Sequence, residues 1–82
     1  MDWELIIDKV VKKQLKKIPN NEARKIILAV EILPSNPYAG DIKRMEGEKD
    51  VWRRRIGSYR IYYEVLTKEK TINIFDVKRK TS

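Results

Sequence analysis

The residues best suited to chemistry lie in one short basic segment in the second half of the chain. Arg53 and Arg55 precede the dipeptide Gly57-Ser58, and Arg60 and Tyr62 follow it. Guanidinium groups are planar, carry several donors and stay charged at physiological pH, so they can clamp a phosphate through charge-assisted hydrogen bonds. The segment therefore predicts a site for a phosphate-bearing partner.

The distribution of charge favours the same kind of partner. The chain has 19 Lys and Arg against 12 Asp and Glu, a formal net charge of +7. Residues 1–41 hold seven basic and six acidic side chains, whereas residues 42–82 hold twelve and six. A positive surplus confined to the second half suits nucleic acid or an acidic protein segment.

The sequence contains no cysteine and no histidine. Their absence excludes disulfides and thiolate metal sites and removes the commonest general base, so we expect no metal and no cofactor. The N-terminus is acidic where a secretory signal would be basic, and the longest apolar run, Ile26 to Val30, is too short to span a bilayer. We expect a cytoplasmic protein with a single domain over residues 1–82.

Apolar spacing in the first half predicts a strand followed by two helices. Trp3 to Ile7 has the β-branched and aromatic character of a strand. Asp8 is suited to cap a lysine-rich amphipathic helix that ends near Pro19, and Asn20 or Asn21 to cap a second helix that ends at Pro34. The apolar stripes are Ile7, Val11, Leu15 and Ile18 in the first helix and Ile26, Ile27, Val30 and Leu33 in the second.

The second half predicts a meander of three strands after a long connection from Pro34 to Asp50. Val51 to Ile56 and Tyr59 to Leu66 are joined by Gly57-Ser58, which suits a type II′ hairpin with glycine at positive φ. Thr71 to Val77 forms the third strand of the meander. The predicted fold is α+β, with a helical hairpin on one face of a mainly antiparallel sheet and the other face bare.

Strand alternation decides which face carries the arginines. Residues Tyr59 to Val65 alternate so that the odd-numbered side chains form an apolar core face. Pairing of Ile56 with Tyr59 then places Arg54 on the core side, where it has no evident role. The side chains expected on the bare face are Arg53, Arg55, Arg60 and Tyr62, with Lys78, Arg79 and Lys80 approaching from the side.

Each of these features also has a plainer interpretation. A run of charge is most often a solvated surface, and the lysines of the first helix are assigned to that class. Trp3 and Trp52 are interpreted as core anchors because they occupy apolar positions. Tyr62 is different, because a ring beside Arg60 could stack on a nucleobase or donate a proton.

The segment from Trp52 to Val65 resembles the central motif of the RelE/ParE superfamily. In that motif an aromatic residue, spaced basic residues, a glycine-containing turn and Tyr-Arg precede an apolar strand. The helical hairpin before Asn36-Pro37, the stretch from Arg44 to Gly47 and Val77-Lys78-Arg79 also agree, so the resemblance covers nearly the whole chain. It implies the β-α-α-β-β-β fold of a type II toxin with an antitoxin partner.

The resemblance also implies an activity. RelE-like members enter the ribosomal A site and cut messenger RNA, with the 2′-hydroxyl attacking the adjacent phosphate and basic side chains in place of histidines. The residues whose positions match the motif imply catalytic roles for Arg53, Arg55, Arg60 and Arg79. The substrate-binding candidates are Tyr62, Lys78, Lys80 and Arg44.

Two departures from the family pattern leave other functions open. RelE has lysines at the first two basic positions, and many members continue beyond the position of Ser82 to a catalytic tyrosine. The general base is therefore unassigned, with Glu64 as a candidate. The alternatives are a ParE-like inhibitor of DNA gyrase and a noncatalytic basic module that binds nucleic acid or an antitoxin.

Overall fold

The computed structural model describes residues 3–79. Over this range the chain forms two helices and five strands, in an order that confirms the predicted α+β class and adds one strand to it. The elements are strand β1 (Glu4–Ile7), helices α1 (Lys9–Lys16) and α2 (Asn20–Ile32), and strands β2 (Ile42–Arg44), β3 (Val51–Ile56), β4 (Tyr59–Leu66) and β5 (Thr71–Arg79).

The strands form one sheet in the order β1-β5-β4-β3-β2. β1 runs parallel to β5, and the other three pairs are antiparallel, as predicted for a mainly antiparallel sheet. β4 is the central strand, so the segment from Trp52 to Val65 lies at the middle of the sheet. The two edges are β1 and the three-residue strand β2.

Both helices pack on the same face of this sheet, α1 against β5 and α2 against β3. The odd-numbered residues of β4, Tyr59 to Val65, are all buried, which confirms the predicted core face. The remaining buried apolar residues of the core cluster come from the helices and the neighbouring strand: Val11, Ile26, Val30, Leu33, Ile72, Ile74 and Val77. Neither helix is long and apolar enough to cross a bilayer.

The helix ends match the sequence prediction only in part. Asp8 caps α1 as predicted, accepting a hydrogen bond from the Val10 amide at 2.9 Å. The prediction of an asparagine cap for α2 is wrong, because α2 begins at Asn20 with Pro19 in the cap position and no side-chain cap. Ile27 is 42% exposed, so it lies outside the buried stripe, which includes Ala23 and Ala29 instead.

Strand β2 corrects the prediction that residues 34–50 form one connection. It pairs antiparallel with β3, with Ile42 opposite Arg54 and Lys43 opposite Arg53. Three residues are too few to show the alternation by which a strand is recognised in sequence. The pairing extends the bare face by one strand beside the arginines.

The β3–β4 hairpin agrees with its prediction. Gly57 has a φ of 57°, in the left-handed region that the first central position of a type II′ turn requires. Ile56 pairs with Tyr59 across this turn. The register of the two arginine-bearing strands follows from that pair.

Candidate nucleic-acid interface

Arg53, Arg55 and Arg60, here called the arginine cluster, lie together on the face that the helices leave bare. Arg55 pairs directly with Arg60, and Arg53 with Tyr62. Side chains opposite each other share a face; Arg60 and Tyr62 alternate with buried residues of β4, and Arg53 and Arg55 alternate with partly buried residues of β3. The cluster lines a cavity of about 140 Å³ together with Asp41, Ile42 and Lys43. The predicted juxtaposition is confirmed.

Two lysines extend the arginine cluster toward the flanking strands. Lys43 of β2 pairs with Arg53, and Lys78 of β5 pairs with Arg60. The Lys78 ammonium also lies 5.6 Å from the centre of the Tyr62 ring. Four adjacent strands therefore contribute basic side chains to one surface.

Two carboxylates partly neutralise this surface. The Asp41 carboxylate lies 3.1 Å from Arg55 Nε, and the Asp76 carboxylate lies 3.8 Å from Lys78 Nζ. The Arg55 and Asp41 side chains are 53% and 65% exposed, so their ion pair contributes little to stability and can be exchanged for another anion. Five basic groups against two carboxylates leave the surface positive.

Arg60 sits at the centre of this charge and is incompletely satisfied. Its Nε is buried and has no hydrogen-bond partner in the part of the chain that the structure describes. Buried donors are normally bonded, and like charges opposite each other on neighbouring strands are unfavourable. An anion placed between Arg55, Arg60 and Lys78 would offset the repulsion among these three charges. Such a set of donors can stabilise negative charge that develops on a phosphate.

The structure does not bring every sequence candidate to the arginine cluster. Arg79 pairs with the buried Tyr59 and therefore has the parity of the helix-covered face. Arg44 pairs with Trp52 and has the same parity, although at the β2 edge it borders a shallow cleft with Arg53. Lys80 lies outside the described residues. Lys43, which the sequence did not identify, faces the cluster because β2 forms.

Arg54, the arginine without a sequence interpretation, connects β3 to α2. Its Nη1 donates a hydrogen bond to the Ala29 carbonyl at 3.3 Å. Gly40, at a φ of +87°, covers the guanidinium so closely that a Cβ there would lie 2.5 Å from Arg54 Cζ. This contact holds the strand from which Arg53 and Arg55 project.

Tyr63 fastens the connection that leads to β2. The side chain is fully buried, and its hydroxyl donates to the Pro37 carbonyl at 3.2 Å. Burial raises the pKa of Tyr63 from 10.0 to about 12, although the nearby Arg54 charge opposes the shift. The neutral phenol is the form that this position stabilises.

A second cleft, here called the aromatic cleft, lies beside the arginine cluster. It is lined by Met45, Glu48, Val51, Tyr62, Glu64 and Phe75. The Tyr62 and Phe75 rings are 6.5 Å apart and tilted by 43°. The β4–β5 register shifts between Tyr62 and Tyr63, so Phe75 is the extra residue of a bulge.

Glu64 has a partner other than the arginine cluster. Its Oε1 accepts a hydrogen bond from Asn73 Nδ2 at 3.2 Å, and it makes no ion pair within residues 3–79. Within the same range, no group of three or more acidic side chains is arranged to hold a metal ion.

Comparison with known proteins places the chain in a family. The family model described as the ParE toxin of the type II toxin–antitoxin system parDE matches residues 5–81. Over 83 residues the chain is 36% identical to the protein assigned as toxin RelE1 in Methanocaldococcus jannaschii, covering 98% of this chain and 92% of that relative.

Solved structures agree with this assignment. The structure matches a chain of the archaeal RelE–RelB complex from Pyrococcus horikoshii OT3 with a TM-score of 0.86 and 32% identity, covering 98% of this chain and 97% of that one. For the RelB–RelE complex from Methanococcus jannaschii the TM-score is 0.77 at 28% identity, with coverages of 90% and 88%. The isolated Escherichia coli RelE toxin shares the fold, with a TM-score of 0.82, 16% identity and coverages of 98% and 86%. The chain therefore belongs to the RelE/ParE superfamily of type II toxin–antitoxin toxins.

Proposed function

We propose that residues 1–82 act as a single toxin domain that cleaves messenger RNA in the ribosomal A site. The observation that carries the proposal is the arginine cluster on the bare face, in which Arg55 and Arg60 are directly opposed and line one cavity with Arg53. The resemblance to RelE-like toxins, which cut messenger RNA, and the family match over residues 5–81 support this target. A folded, positively charged face of this kind suits RNA better than it suits a small metabolite.

The proposed reaction is a phosphoryl transfer within the RNA. The 2′-hydroxyl gives up its proton as its oxygen bonds to the adjacent phosphorus. The bond from phosphorus to the 5′-oxygen breaks as that oxygen takes up a proton, which leaves a cyclic phosphate and a 5′-hydroxyl. Arg53, Arg55 and Arg60 would neutralise the charge that develops on the phosphate oxygens. Arginine is a poor proton acceptor because its pKa exceeds 12, so the arginine cluster acts by stabilising charge.

Lys78 and Arg79 are the two candidates for the fourth basic residue of the site. The family motif assigns the fourth catalytic role to Arg79, whereas the β4–β5 register places Lys78 opposite Arg60. We assign the phosphate contact to Lys78. Arg79 has the parity of the opposite face and is the weaker candidate.

Single-turnover cleavage on programmed ribosomes tests the proposal. The chain should cut the message at positions set by the codon, and Arg60→Ala should slow cleavage by about 30- to 1000-fold, the usual effect of removing one donor to a transition-state oxyanion. Arg24→Ala, on the exposed surface of α2, is the matched control and should cleave normally. An intact chain that leaves the message uncut, or a fully active Arg60→Ala variant, would refute the proposal.

A second candidate is inhibition of DNA gyrase, favoured by the match to the ParE family model. Inducible expression separates the two functions. A nuclease should halt translation and leave codon-positioned cuts, whereas a gyrase inhibitor should induce a DNA-damage response without them. A noncatalytic module should do neither.

We also propose that an antitoxin with an acidic segment covers the bare face. Two archaeal relatives were solved as complexes of RelE with RelB, and the surplus of basic groups here suits an acidic partner. Coexpression with the cognate antitoxin should yield a complex. Raising the salt concentration should weaken it because exposed charge pairs are screened.

A further inference from the structure

The aromatic cleft has no part in the phosphate chemistry described above. It is an open depression of about 360 Å³ on the bare face, within the size range of small-molecule sites. Its walls are mainly apolar, and carboxylates stand at its border. A depression of this character beside a basic cluster suits the uncharged base of a nucleotide better than its phosphate.

Tyr62 places the aromatic cleft within a nucleotide's length of every arginine in the cluster. It pairs with Arg53 on β3 and stands two residues from Arg60 along β4, a separation of about 7 Å. A single nucleotide spans such a distance from phosphate to base. A phosphate held by the cluster therefore brings a neighbouring base to the cleft.

The rings of Tyr62 and Phe75 provide apolar faces for that base. Their tilt of 43° keeps them from stacking on each other, so they form two sides of the cleft. Unstacked bases of single-stranded RNA bind to such rings, and stacking alone accepts any base. Selectivity must come from the polar group at the border.

Glu64 supplies a selective polar group. Asn73 donates to one carboxylate oxygen at 3.2 Å, which orients the side chain. A carboxylate has about four acceptor positions, so both oxygens can still accept hydrogen bonds from a ligand. An ionised carboxylate only accepts hydrogen bonds. Guanine offers two adjacent donors, N1–H and the 2-amino group, whereas adenine and cytosine offer one amino group beside an acceptor, and uracil offers N3–H between two carbonyls.

We propose that the cleft formed by Tyr62, Phe75 and Glu64 binds a guanine base beside the phosphate held by the arginine cluster. The inference rests on the proposed RNA cleavage and names the base that the site selects. Glu64 accepts hydrogen bonds from N1–H and the 2-amino group of guanine, and the rings of Tyr62 and Phe75 contact the flat faces of the base.

Cleavage of messages that differ in one base beside the cut tests the selection. The chain should favour guanine, and Glu64→Gln should reduce the ratio of guanine to adenine cleavage by about tenfold, because a bidentate contact is lost. Tyr62→Phe keeps the ring and should keep the ratio. Glu69→Gln, in the exposed turn before β5, makes the same charge change away from the cleft and should also keep it.

Binding of RNA that cannot be cleaved separates this inference from the proposed function. Tetranucleotides with a 2′-O-methyl group at the attacking position and one varied base should bind about tenfold more tightly when that base is guanine, and Glu64→Gln should remove the difference. Guanine-selective binding without cleavage of any message would overturn the proposed function and would still support the cleft as a guanine site.

Three results would overturn the inference while the function stands. The first is equal binding of all four bases. The second is a Glu64→Gln variant that cleaves every message equally slowly with an altered pH profile, which would make Glu64 a proton acceptor. The third is a Glu64→Gln variant that changes only the affinity for the antitoxin, which would make the cleft a surface for binding protein.

Discussion

Replacing Arg60 should stabilise the isolated protein while impairing its activity. Arg60 faces Arg55 on one side and Lys78 on the other, so it belongs to two like-charge pairs across the central strands. A directly opposed charge pair contributes roughly 0.2–1 kcal/mol. Asp41 and Asp76 offset part of the repulsion, so the lower half of that range applies to each pair. Arg60→Gln should therefore raise the free energy of unfolding by about 0.5–1 kcal/mol.

Thermal unfolding at low and high salt measures this effect. For a domain of this length, about 1 kcal/mol corresponds to a shift in Tm of roughly 4–8 °C, so the expected gain is about 2–8 °C. The gain should shrink in 1 M salt because exposed charges are screened. Arg24→Gln removes the same charge from the exposed surface of α2 and should change stability by less than about 0.5 kcal/mol.

The combination of results is the informative outcome. A variant that is more stable at low salt and slower in cleavage would show that the fold tolerates repulsion for the sake of an anion. An Arg60→Gln protein that is less stable than Arg24→Gln at both salt concentrations would show instead that Arg60 is a structural contact. That result would remove the physical basis for an anion site at this position.

Three further outcomes are expected. Gly40→Ala should destabilise the fold by more than Gly47→Ala, by about 0.5–1.5 kcal/mol, because both glycines have positive φ but only a Cβ at Gly40 would displace the Arg54 guanidinium from the Ala29 carbonyl. Urea unfolding of the pair measures the difference. The pKa of Tyr63 is about 12 in the folded chain, above the unfolded value of 10.0. The unfolded chain therefore loses this proton first, so the free energy of unfolding should fall by about 2 kcal/mol between pH 10 and 12. A Tyr63→Phe variant should lack this fall. Lys43→Gln should reduce the slope of log affinity for RNA against log salt concentration by about the value of one phosphate contact. Arg44→Gln should reduce that slope less, because Lys43 faces the arginine cluster and Arg44 does not.

The central hairpin could be predicted from the sequence because its signals are local. Glycine at the turn sets the pairing of Ile56 with Tyr59, and alternation along β4 then assigns Arg60 to a face. No knowledge of distant parts of the chain is needed for either step. The parity of Arg53 and Arg55 follows by the same reasoning, and the structure agrees.

Strand β2 and the bulge in β5 could not be predicted, because their pairing depends on distant contacts. β2 is too short to show a period, so the contribution of Lys43 was not evident. The bulge at Phe75 changes the parity of everything that follows it in β5. Unbroken alternation along β5 would have placed Arg79 on the face that carries Arg60. The extra residue of the bulge instead places Lys78 on that face.

Arg54 shows a different limit of sequence analysis. Its parity predicts a core position, and a charged residue in such a position needs an acceptor that the local sequence does not identify. The acceptor is the Ala29 carbonyl, and the space for the guanidinium comes from Gly40. Both belong to segments distant in sequence, and only the folded chain brings them together.

The parallel pairing of β1 with β5 has a consequence for folding during synthesis on the ribosome. Leu5 leaves the ribosome that makes the chain well before its partner Ile72, because 66 residues lie between them in the sequence. Contacts between residues so far apart form slowly because the intervening chain must be ordered first. β1 must therefore remain unpaired until β5 has been made, so this edge of the sheet forms after the helices and strands that lie between the two strands in the sequence.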